Sequence, residues 1–243
     1  MKIKNRKLKA TSGTIAALYT LFLMIIFFFT SFYMRTVTTL SSNIRTDIDD
    51  ATLAAATIDL SRYAINSDDF YCIGSITPNI SISTQEQIDV KKHARTFLSS
   101  FTNSAGMEVN HFVGGDLSGA VNMLGLNNMV IDDFIIYDAF KDASGNYKIV
   151  EYKISNITKT QIKNIVDNNN FQGLVISKSF TTTPKTSATI VDTSGVNTKV
   201  NPTIYAKISF NIKLPNIYEA FGKEKGETRV SVASVSQIKK NSD

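Results

Sequence analysis

Residues 14–34 read TIAALYTLFLMIIFFFTSFYM, a run of 21 residues without a charged side chain. At ~1.5 Å per residue, a helix of this length covers ~30 Å, the thickness of the hydrocarbon core of a bilayer. We therefore expect one membrane-spanning helix here, with the lipid bilayer as its surroundings. A cleaved signal peptide is the alternative. The run is long for a signal peptide, and TSFYMRT offers no small-residue cleavage site.

The charges before this run predict its direction. Five cationic side chains occur in the first nine residues, and the whole chain carries a formal net charge of +5. Cytoplasmic flanks of membrane helices are rich in Lys and Arg, so residues 1–13 are predicted to be a cytoplasmic tail. The expected location is the cell membrane, as a single-pass protein whose C-terminal domain is extracytoplasmic. The remaining chain is neutral, which argues against a nucleic-acid partner.

An apolar stripe continues beyond the membrane span. Neither Gly nor Pro occurs between Thr14 and Asn66. Residues 35–66 are therefore predicted to continue the same helix as an amphipathic stalk, and the whole helix would be ~75–80 Å long. A break near Arg35, followed by a separate helix, is the alternative. Asp47, Asp49 and Asp50 are interpreted as a solvated face rather than a calcium site. The predicted packing face of the stalk consists of Val37, Leu40, Ile44, Ile48, Ala51, Ala55 and Ile58.

Residues 67–243 are predicted to form a head domain that begins with a connection and a helix. Ser83 and Glu86 have capping-box spacing, and an apolar face follows them up to Gly106. His93 lies off that face and is expected to point into solvent. The predicted face consists of Val90, Ala94, Phe97, Leu98 and Phe101.

The rest of the head has the pattern of strands. Met129–Phe140 and Tyr147–Ile154 predict a β-hairpin, and Thr203–Leu214 alternates apolar and polar residues with period two. That alternation predicts one face on a core and one in water. Together with a short helix the segments predict an α+β fold with an antiparallel sheet. The further predicted segments are a helix at Thr158–Val166 and strands at Gly173–Thr181 and Thr228–Ile238.

The sequence contains no recognisable catalytic motif, and we predict no catalytic residue, cofactor or metal site. His111 and Asp116 stand together in HFVGGD, but no nucleophile has a supporting base at a recognisable spacing. Asp132 and Asp133 are neighbours in a predicted strand, so their carboxylates are expected to face opposite ways. Cys72 is the only cysteine and is expected to be a small buried residue.

The N-terminal region resembles the TadE/TadG-like pseudopilins of Tad (Flp-type) pilus systems. The likeness lies in the basic tail, Gly13 before the apolar run that starts at Thr14, and the segment DDATLAAA at residues 49–56. It implies a pilin-like head on a long helix, and partners among the membrane subunits of a pilus or secretion complex. Flp-type pilins typically carry Glu-Tyr at the fifth and sixth positions after a cleaved Gly, where this chain has Leu18 and Tyr19. The resemblance therefore implies an accessory subunit, with Gly13, Thr14 and Tyr19 as the residues of any prepilin-type processing.

Three functions follow in order of preference. The first is a membrane-anchored pilin-like structural or assembly subunit without catalysis, and self-association into a homo-oligomer is compatible with it. The second is a membrane-anchored extracellular binding or sensor domain, which would use the predicted loops at His111–Leu126 and Thr181–Thr198. The third is an envelope enzyme, with His111 and Asp116 as its only candidate residues.

Overall fold

The computed structural model of the chain describes residues 2–60, 64, 71–114, 127–143, 147–181, 202–213 and 227–237. The chain divides into two compact units, residues 1–43 and residues 44–243. Its fold is α+β, with a long apolar N-terminal helix and a C-terminal antiparallel sheet of five strands. The elements are α1 (Lys2–Ala55), α2 (Thr84–Gly114), β1 (Asn127–Lys141), β2 (Tyr147–Thr158), α3 (Lys159–Asn168), β3 (Ile176–Thr181), β4 (Thr203–Lys213) and β5 (Glu227–Gln237).

The first unit consists of helix α1 up to residue 43, and its surface is apolar. Most of the large hydrophobic side chains between Ile15 and Met34 are 44–75% exposed, with Phe27 the most exposed of them. Among the described residues, one helix is long and apolar enough to cross a membrane, and it lies near the N-terminus. The helix begins at Lys2, so the basic tail belongs to the helix and does not precede it.

Helix α1 ends at Ala55 and does not reach Asn66 as the sequence predicted. In a continued helix the N–H of Asp59 would donate to the carbonyl of Ala55. Instead, the Asp59 N–H donates to the carbonyl of Tyr71 at 2.6 Å, and the Ala55 carbonyl accepts from the N–H of Thr57 at 2.8 Å. The helix therefore stops where one tertiary hydrogen bond and one tight local turn replace the next helical bond, and no Gly or Pro in the sequence marks this end.

The predicted packing face of the stalk is largely inaccessible to solvent. Ile48, Ala51 and Ala55 in the second unit are fully buried, and Leu40 in the first unit is buried too. The other three members, Val37, Ile44 and Ile58, are half-buried, and Ile58 lies beyond the end of α1. In the second unit the hydroxyl of Thr52 bonds the hydroxyls of Ser236 at 2.7 Å and Ser234 at 3.3 Å, which fixes the last turns of α1 against β5.

The five strands have the order β3-β2-β1-β4-β5, and every neighbouring pair is antiparallel. The predicted hairpin is confirmed as β1–β2, and the three further predicted strands are confirmed as β3, β4 and β5. Strand β1 therefore occupies the middle of the sheet.

The short helix α3 starts from a capping box made by Thr158 and Gln161, and it ends at Asn169 in the left-handed conformation.

One face of the sheet packs against α2. The rings of Phe97 on α2 and Phe134 on β1 lie 5.1 Å apart, and the predicted apolar face of α2 is buried along its length. The helix passes the predicted end at Gly106 and continues to Gly114. The buried residues of this sheet face include Ile131, Phe134, Ile136, Ile154, Ile157, Ile204, Ala206, Ile208 and Phe210.

The opposite face is not simply in water, contrary to the sequence prediction. Ile135, Tyr137, Ala139 and Ile149 form a second buried cluster there, and Tyr205 packs against it. On β4 itself, polar Thr203 and Ser209 are 0% and 1% exposed. The central strands are therefore buried on both faces, which is consistent with the near-continuous apolar run of β1.

An irregularity crosses β1 and β2 at the same level. Relative to β4, the register shifts by one residue between Ile131 and Asp133, which makes Asp132 an extra residue. Across from it on β2, Asn156 has a φ of 58°, in the left-handed region. As a result, the apolar pairs Ile131/Phe134 and Ile154/Ile157 lie on one face although their members are three residues apart.

Candidate functional site

The segment from Tyr71 to Thr77, called the connector below, belongs to no helix or strand, and its first three residues are buried. Tyr71 and Cys72 are 3% exposed and Ile73 is fully buried. Buried backbone N–H and C=O groups must find partners, and outside a helix or sheet these partners are commonly side chains. The connector takes them from a set called the clamp below, which consists of Glu86, Asp89 and His93 on α2, Asp138 on β1, and Lys178 on β3.

Two carboxylates of the clamp accept hydrogen bonds from successive connector amides. One oxygen of Asp138 accepts from the N–H of Cys72 at 2.9 Å and of Ile73 at 2.7 Å. Asp89 accepts from the N–H of Gly74 at 2.9 Å. Three consecutive amides are thus paired, and charge-assisted bonds of this kind are among the stronger hydrogen bonds in proteins.

Glu86 and Lys178 form a fully buried ion pair at the end of the connector. The Lys178 Nζ and Glu86 Oε1 atoms are 2.6 Å apart, and both side chains are 0% exposed. Lys178 also donates to the carbonyl of Thr77 at 2.7 Å, and Glu86 accepts from the N–H of Thr77 and the hydroxyl of Tyr152. A buried pair is tolerated when its remaining donors and acceptors are satisfied, and this one is surrounded by partners.

The hydrogen bonds outweigh burial in their effect on the Glu86 carboxyl. Burial by itself raises its pKa, but the bond from Lys178 and the backbone N–H groups of Ser83 and Thr77 lower the pKa to about 2. The N–H of Ser83 donates to Glu86 at 2.6 Å and the Ser83 hydroxyl accepts from the Glu86 N–H, which confirms the predicted capping box. Glu86 is therefore ionised across the ordinary pH range, and its negative charge balances the buried cation of Lys178.

His93 was predicted to point into solvent, and that prediction is wrong, because its side chain is 3% exposed. Its Nδ1 lies 2.8 Å from the carbonyl oxygen of Ala55, and its Nε2 lies 2.9 Å from the carbonyl oxygen of Cys72. The ring therefore joins the end of α1 to the connector. The spacing of Glu86, Val90, His93 and Phe97 along α2 is 4-3-4, which is a helical stripe that includes the two polar residues.

Cys72 is the small buried residue that the sequence predicted. Burial raises the pKa of its thiol well above the ordinary value, and the charge of Asp138 raises it further. A thiol held neutral in this way is a poor nucleophile and a poor metal ligand. Among the described residues, no group of three or more His, Cys, Asp or Glu side chains could hold a metal ion.

A second polar group, called the bulge cluster below, lies on the other sheet face around the β1 irregularity. Asp132 pairs with Arg229 at 2.8 Å and accepts a hydrogen bond from Ser209. Asp133 pairs with Lys153 at 2.7 Å and accepts from Ser155 at 3.0 Å. The predicted opposite orientation of the two carboxylates is wrong, because the extra residue turns both toward this face.

The pKa of Tyr205 reflects the charges of both carboxylates. Burial raises the pKa of its phenol, and the charges of Asp133 and Asp132 raise it further, while the cation of Lys153 acts in the opposite direction. Each carboxylate already has a cationic partner, so the bulge cluster is close to charge balance. Its chemistry is that of a mutually satisfied surface network and not of an exposed acid–base pair.

The residues of the predicted processing site lie on the exposed part of α1. Gly13, Thr14 and Tyr19 are exposed, and a Cβ placed on Gly13 would meet no atom within 4 Å. Packing in this chain therefore does not require glycine at that position. Among the acidic residues of α1, Asp49 and Asp50 are exposed as predicted. Asp47 is 8% exposed, so the interpretation of all three as a solvated face is wrong for it.

The predicted loops of the binding hypothesis fall mostly outside the described residues. Helix α2 includes His111 and Gly114, where the sequence predicted a loop, and only the backbone is described there. Residues 115–126, with Gly115 and Asp116, lie outside the described part of the chain, as do residues 182–201.

Comparison of the chain with protein-family models, with curated proteins and with solved structures found no match in any of the three.

Proposed function

We propose that the chain is a membrane-anchored, pilin-like structural or assembly subunit of a Tad/Flp-type pilus or secretion complex. Its N-terminal tail lies in the cytoplasm and its head lies outside the membrane. The observation that carries the proposal is the exposure of large apolar side chains between Ile15 and Met34, which an aqueous environment disfavours by ~25 cal/mol per Å². Lipid or neighbouring apolar helices satisfy the same surface.

The polar side chains of the head support a structural role. The ion pair and Asp138 are buried, and the carboxylates of the clamp are directed at backbone groups of the connector. The bulge cluster is likewise paired within itself. Such groups stabilise one conformation of the head, as a subunit of an assembly requires, and they offer no nucleophile with a supporting base.

The membrane part of the proposal is tested with the full chain in bacterial cells. We expect the protein to stay in the membrane pellet after carbonate extraction, and protease added to spheroplasts to degrade the head and leave a tag at Met1 protected. A matched variant with Phe27→Arg and Phe28→Arg places two charges at the centre of the apolar run, each opposed by ~2.5–3.5 kcal/mol. Extraction of the unchanged chain by carbonate would refute membrane anchoring.

The assembly part is tested in cells that carry a Tad-type system. A photo-crosslinking amino acid at Phe27, 75% exposed, should trap other membrane subunits of that system, whereas one at buried Ile48 should trap nothing. The mass of the mature protein reports whether cleavage follows Gly13. If the chain is anchored and yields no crosslink to an envelope subunit, while its head binds a soluble or surface ligand, the binding-module hypothesis replaces the assembly hypothesis.

A further inference from the structure

The sheet has two edge strands, β3 and β5, and only β3 is protected against pairing with another strand. An edge strand presents unpaired backbone N–H and C=O groups, to which a further strand can add. Strand β3 is only six residues long, and its Lys178 points inward to Glu86. Short length and an inward-pointing charge both discourage pairing at an edge.

Strand β5 has neither of these protections. It is eleven residues long, contains no Lys or Pro, and pairs with β4 from Glu227 to Gln237 without a register shift. Among the residues that the structure describes, β4 is its only neighbour in the sheet. Every second residue of β5 therefore directs its N–H and C=O away from β4. The exposed residues of this strand are Thr228, Arg229, Ser231 and Ala233. Such a long and regular edge is a template for a further strand.

The charge pattern of β5 favours an antiparallel second copy of the same strand. Arg229 is the only charged residue among residues 228–236. Two copies in parallel register would place their Arg229 side chains opposite each other, and like charges in that position are destabilising. Antiparallel copies of residues 228–236 overlap fully when the two-fold axis passes through Val232. Arg229 of one copy then faces Val235 of the other, and the two arginines are separated by six residues, about 20 Å.

The residues around this axis leave room for the second copy. Ser231 of one copy faces Ala233 of the other, and both are small and exposed. On the opposite face of the strand, Thr52 of α1 contacts Ser234 and Ser236, which lie in the second half of β5. Antiparallel pairing sets this half beside the first half of the other β5. The last turns of the two α1 helices are thus kept at opposite ends of the strand pair.

We propose that β5 pairs antiparallel with β5 of a second copy of this chain, which joins two five-stranded sheets into one sheet of ten strands. Each copy contributes the same surface, so the contact is complete with two copies. The protected β3 edges lie at the two outer ends of the joined sheet. The proposal goes beyond the proposed function and does not depend on it, because it concerns residues of the second unit alone.

The number of chains per particle is measured on the full-length protein in detergent, by light scattering with the detergent mass subtracted. We expect two chains for the unchanged protein. The variant Ser231→Lys/Ala233→Lys places cations opposite each other across the strand pair and should contain one chain. The matched control is Ser177→Lys/Ser179→Lys, at two exposed positions of β3, and it should keep two chains. Circular dichroism at the β-sheet band shows whether each variant is folded.

Spin labels on the dimer test the direction of the strands. Labels are attached to the separate variants Ser231→Cys and Thr228→Cys, and the unchanged chain, whose Cys72 is buried, is the labelling control. In the antiparallel pair the two residues 231 are two positions apart along the strands, about 7 Å, whereas the two residues 228 are eight positions apart, about 26 Å. The label at position 228 should therefore report a much longer distance than the label at position 231.

These distances decide the question even if the β5 lysine variant does not fold. Equal distances at the two positions would indicate parallel strands and would overturn the proposal. One chain per particle in the unchanged protein would also overturn it. So would a dimer that survives both lysines on β5, or one that is lost only in the β3 variant.

Discussion

Replacing Lys178 by Met leaves the Glu86 carboxylate buried without its cation. Both side chains are 0% exposed in the unchanged chain, and Lys178 Nζ is 2.6 Å from Glu86 Oε1. The substitution also removes the donor to the Thr77 carbonyl at 2.7 Å. The methionine side chain keeps most of the volume, so the expected loss comes mainly from the uncompensated charge and the unpaired carbonyl.

The magnitude follows from the burial of the pair. Removing one partner of a buried ion pair typically costs ~3–5 kcal/mol. For a unit of about 200 residues, each kcal/mol shifts the unfolding midpoint by ~2–4 °C. We therefore expect the midpoint of the Lys178→Met variant to fall by ~6–20 °C.

The assay is thermal unfolding of the full-length protein in detergent, followed by circular dichroism at the β-sheet band. The matched control is Lys148→Met, because Lys148 is 55% exposed and lies 3.5 Å from Asp142. Such a surface pair contributes ~0–1 kcal/mol. The double variant Lys178→Met/Glu86→Leu, which removes both charges, should recover much of the loss. If Lys178→Met and Lys148→Met lowered the midpoint equally, the reasoning from burial would be refuted.

The same pair predicts how stability depends on acid. The pKa of Glu86 is about 2 in the folded chain against 4.5 for an ordinary Glu, so its contribution is complete above pH 4.5 and is lost as the pH falls toward 2. The 2.5-unit difference corresponds to ~3 kcal/mol. Lys178→Met should flatten this part of the stability curve, since the cation contributes to lowering the pKa.

Three further predictions follow from single positions. Gly74→Ala should lower the free energy of unfolding by ~1 kcal/mol, because a Cβ would lie 2.9 Å from a carboxylate oxygen of Asp59. Gly13→Ala is the matched control: the space around Gly13 is open, so this change should leave unfolding unchanged or stabilise the helix. Asn156→Val should cost ~1–2 kcal/mol and Asn156→Gly almost nothing in chemical unfolding, because φ is 58° there. Asp133→Asn should lower the pKa of Tyr205 in a ¹³C-tyrosine NMR titration, because that carboxylate charge raises it; an unchanged value would contradict the assigned cause.

The elements of the head that depend on local patterns could be predicted from the sequence. The β1–β2 hairpin, β4 and α3 all carry their own turn, alternation or capping residues, so the strands and the capping box of Glu86 and Ser83 were found. The long apolar helix was found for the same reason, because hydrophobic run length is a local property.

What the sequence did not predict depends on contacts between distant residues. The end of α1 at Ala55 depends on the Asp59–Tyr71 backbone bond, and the burial of His93 depends on two carbonyls from other segments. Lys178 is a polar residue in an edge strand, and no residue near it in the sequence indicates that its partner is Glu86, 92 positions earlier. The sequence offers one signal for the buried histidine, which is the 4-3-4 helical spacing that places His93 on the same stripe as Glu86, Val90 and Phe97.

The rule that side chains alternate between the two faces of a strand fails at the extra residue in β1. Strict alternation put Asp132 and Asp133 on opposite faces, but two polar residues between Ile131 and Phe134 are one more than alternation allows. The same spacing recurs on β2, where Ser155 and Asn156 separate two buried isoleucines. In this chain, the double-polar interruptions in β1 and β2 coincide with the extra residue Asp132 and with the left-handed residue Asn156.

The bond between Thr52 and Ser236 joins residues 184 positions apart, so the last turns of α1 can make it only after β5 has been synthesised. Contacts of such long sequence separation form late, because the entropy of closing the loop is lost before any contact compensates for it. If the head crosses the membrane as it is made, the segment of α1 next to the head waits for β5 to emerge. During that interval its apolar stripe is open to chaperones and proteases.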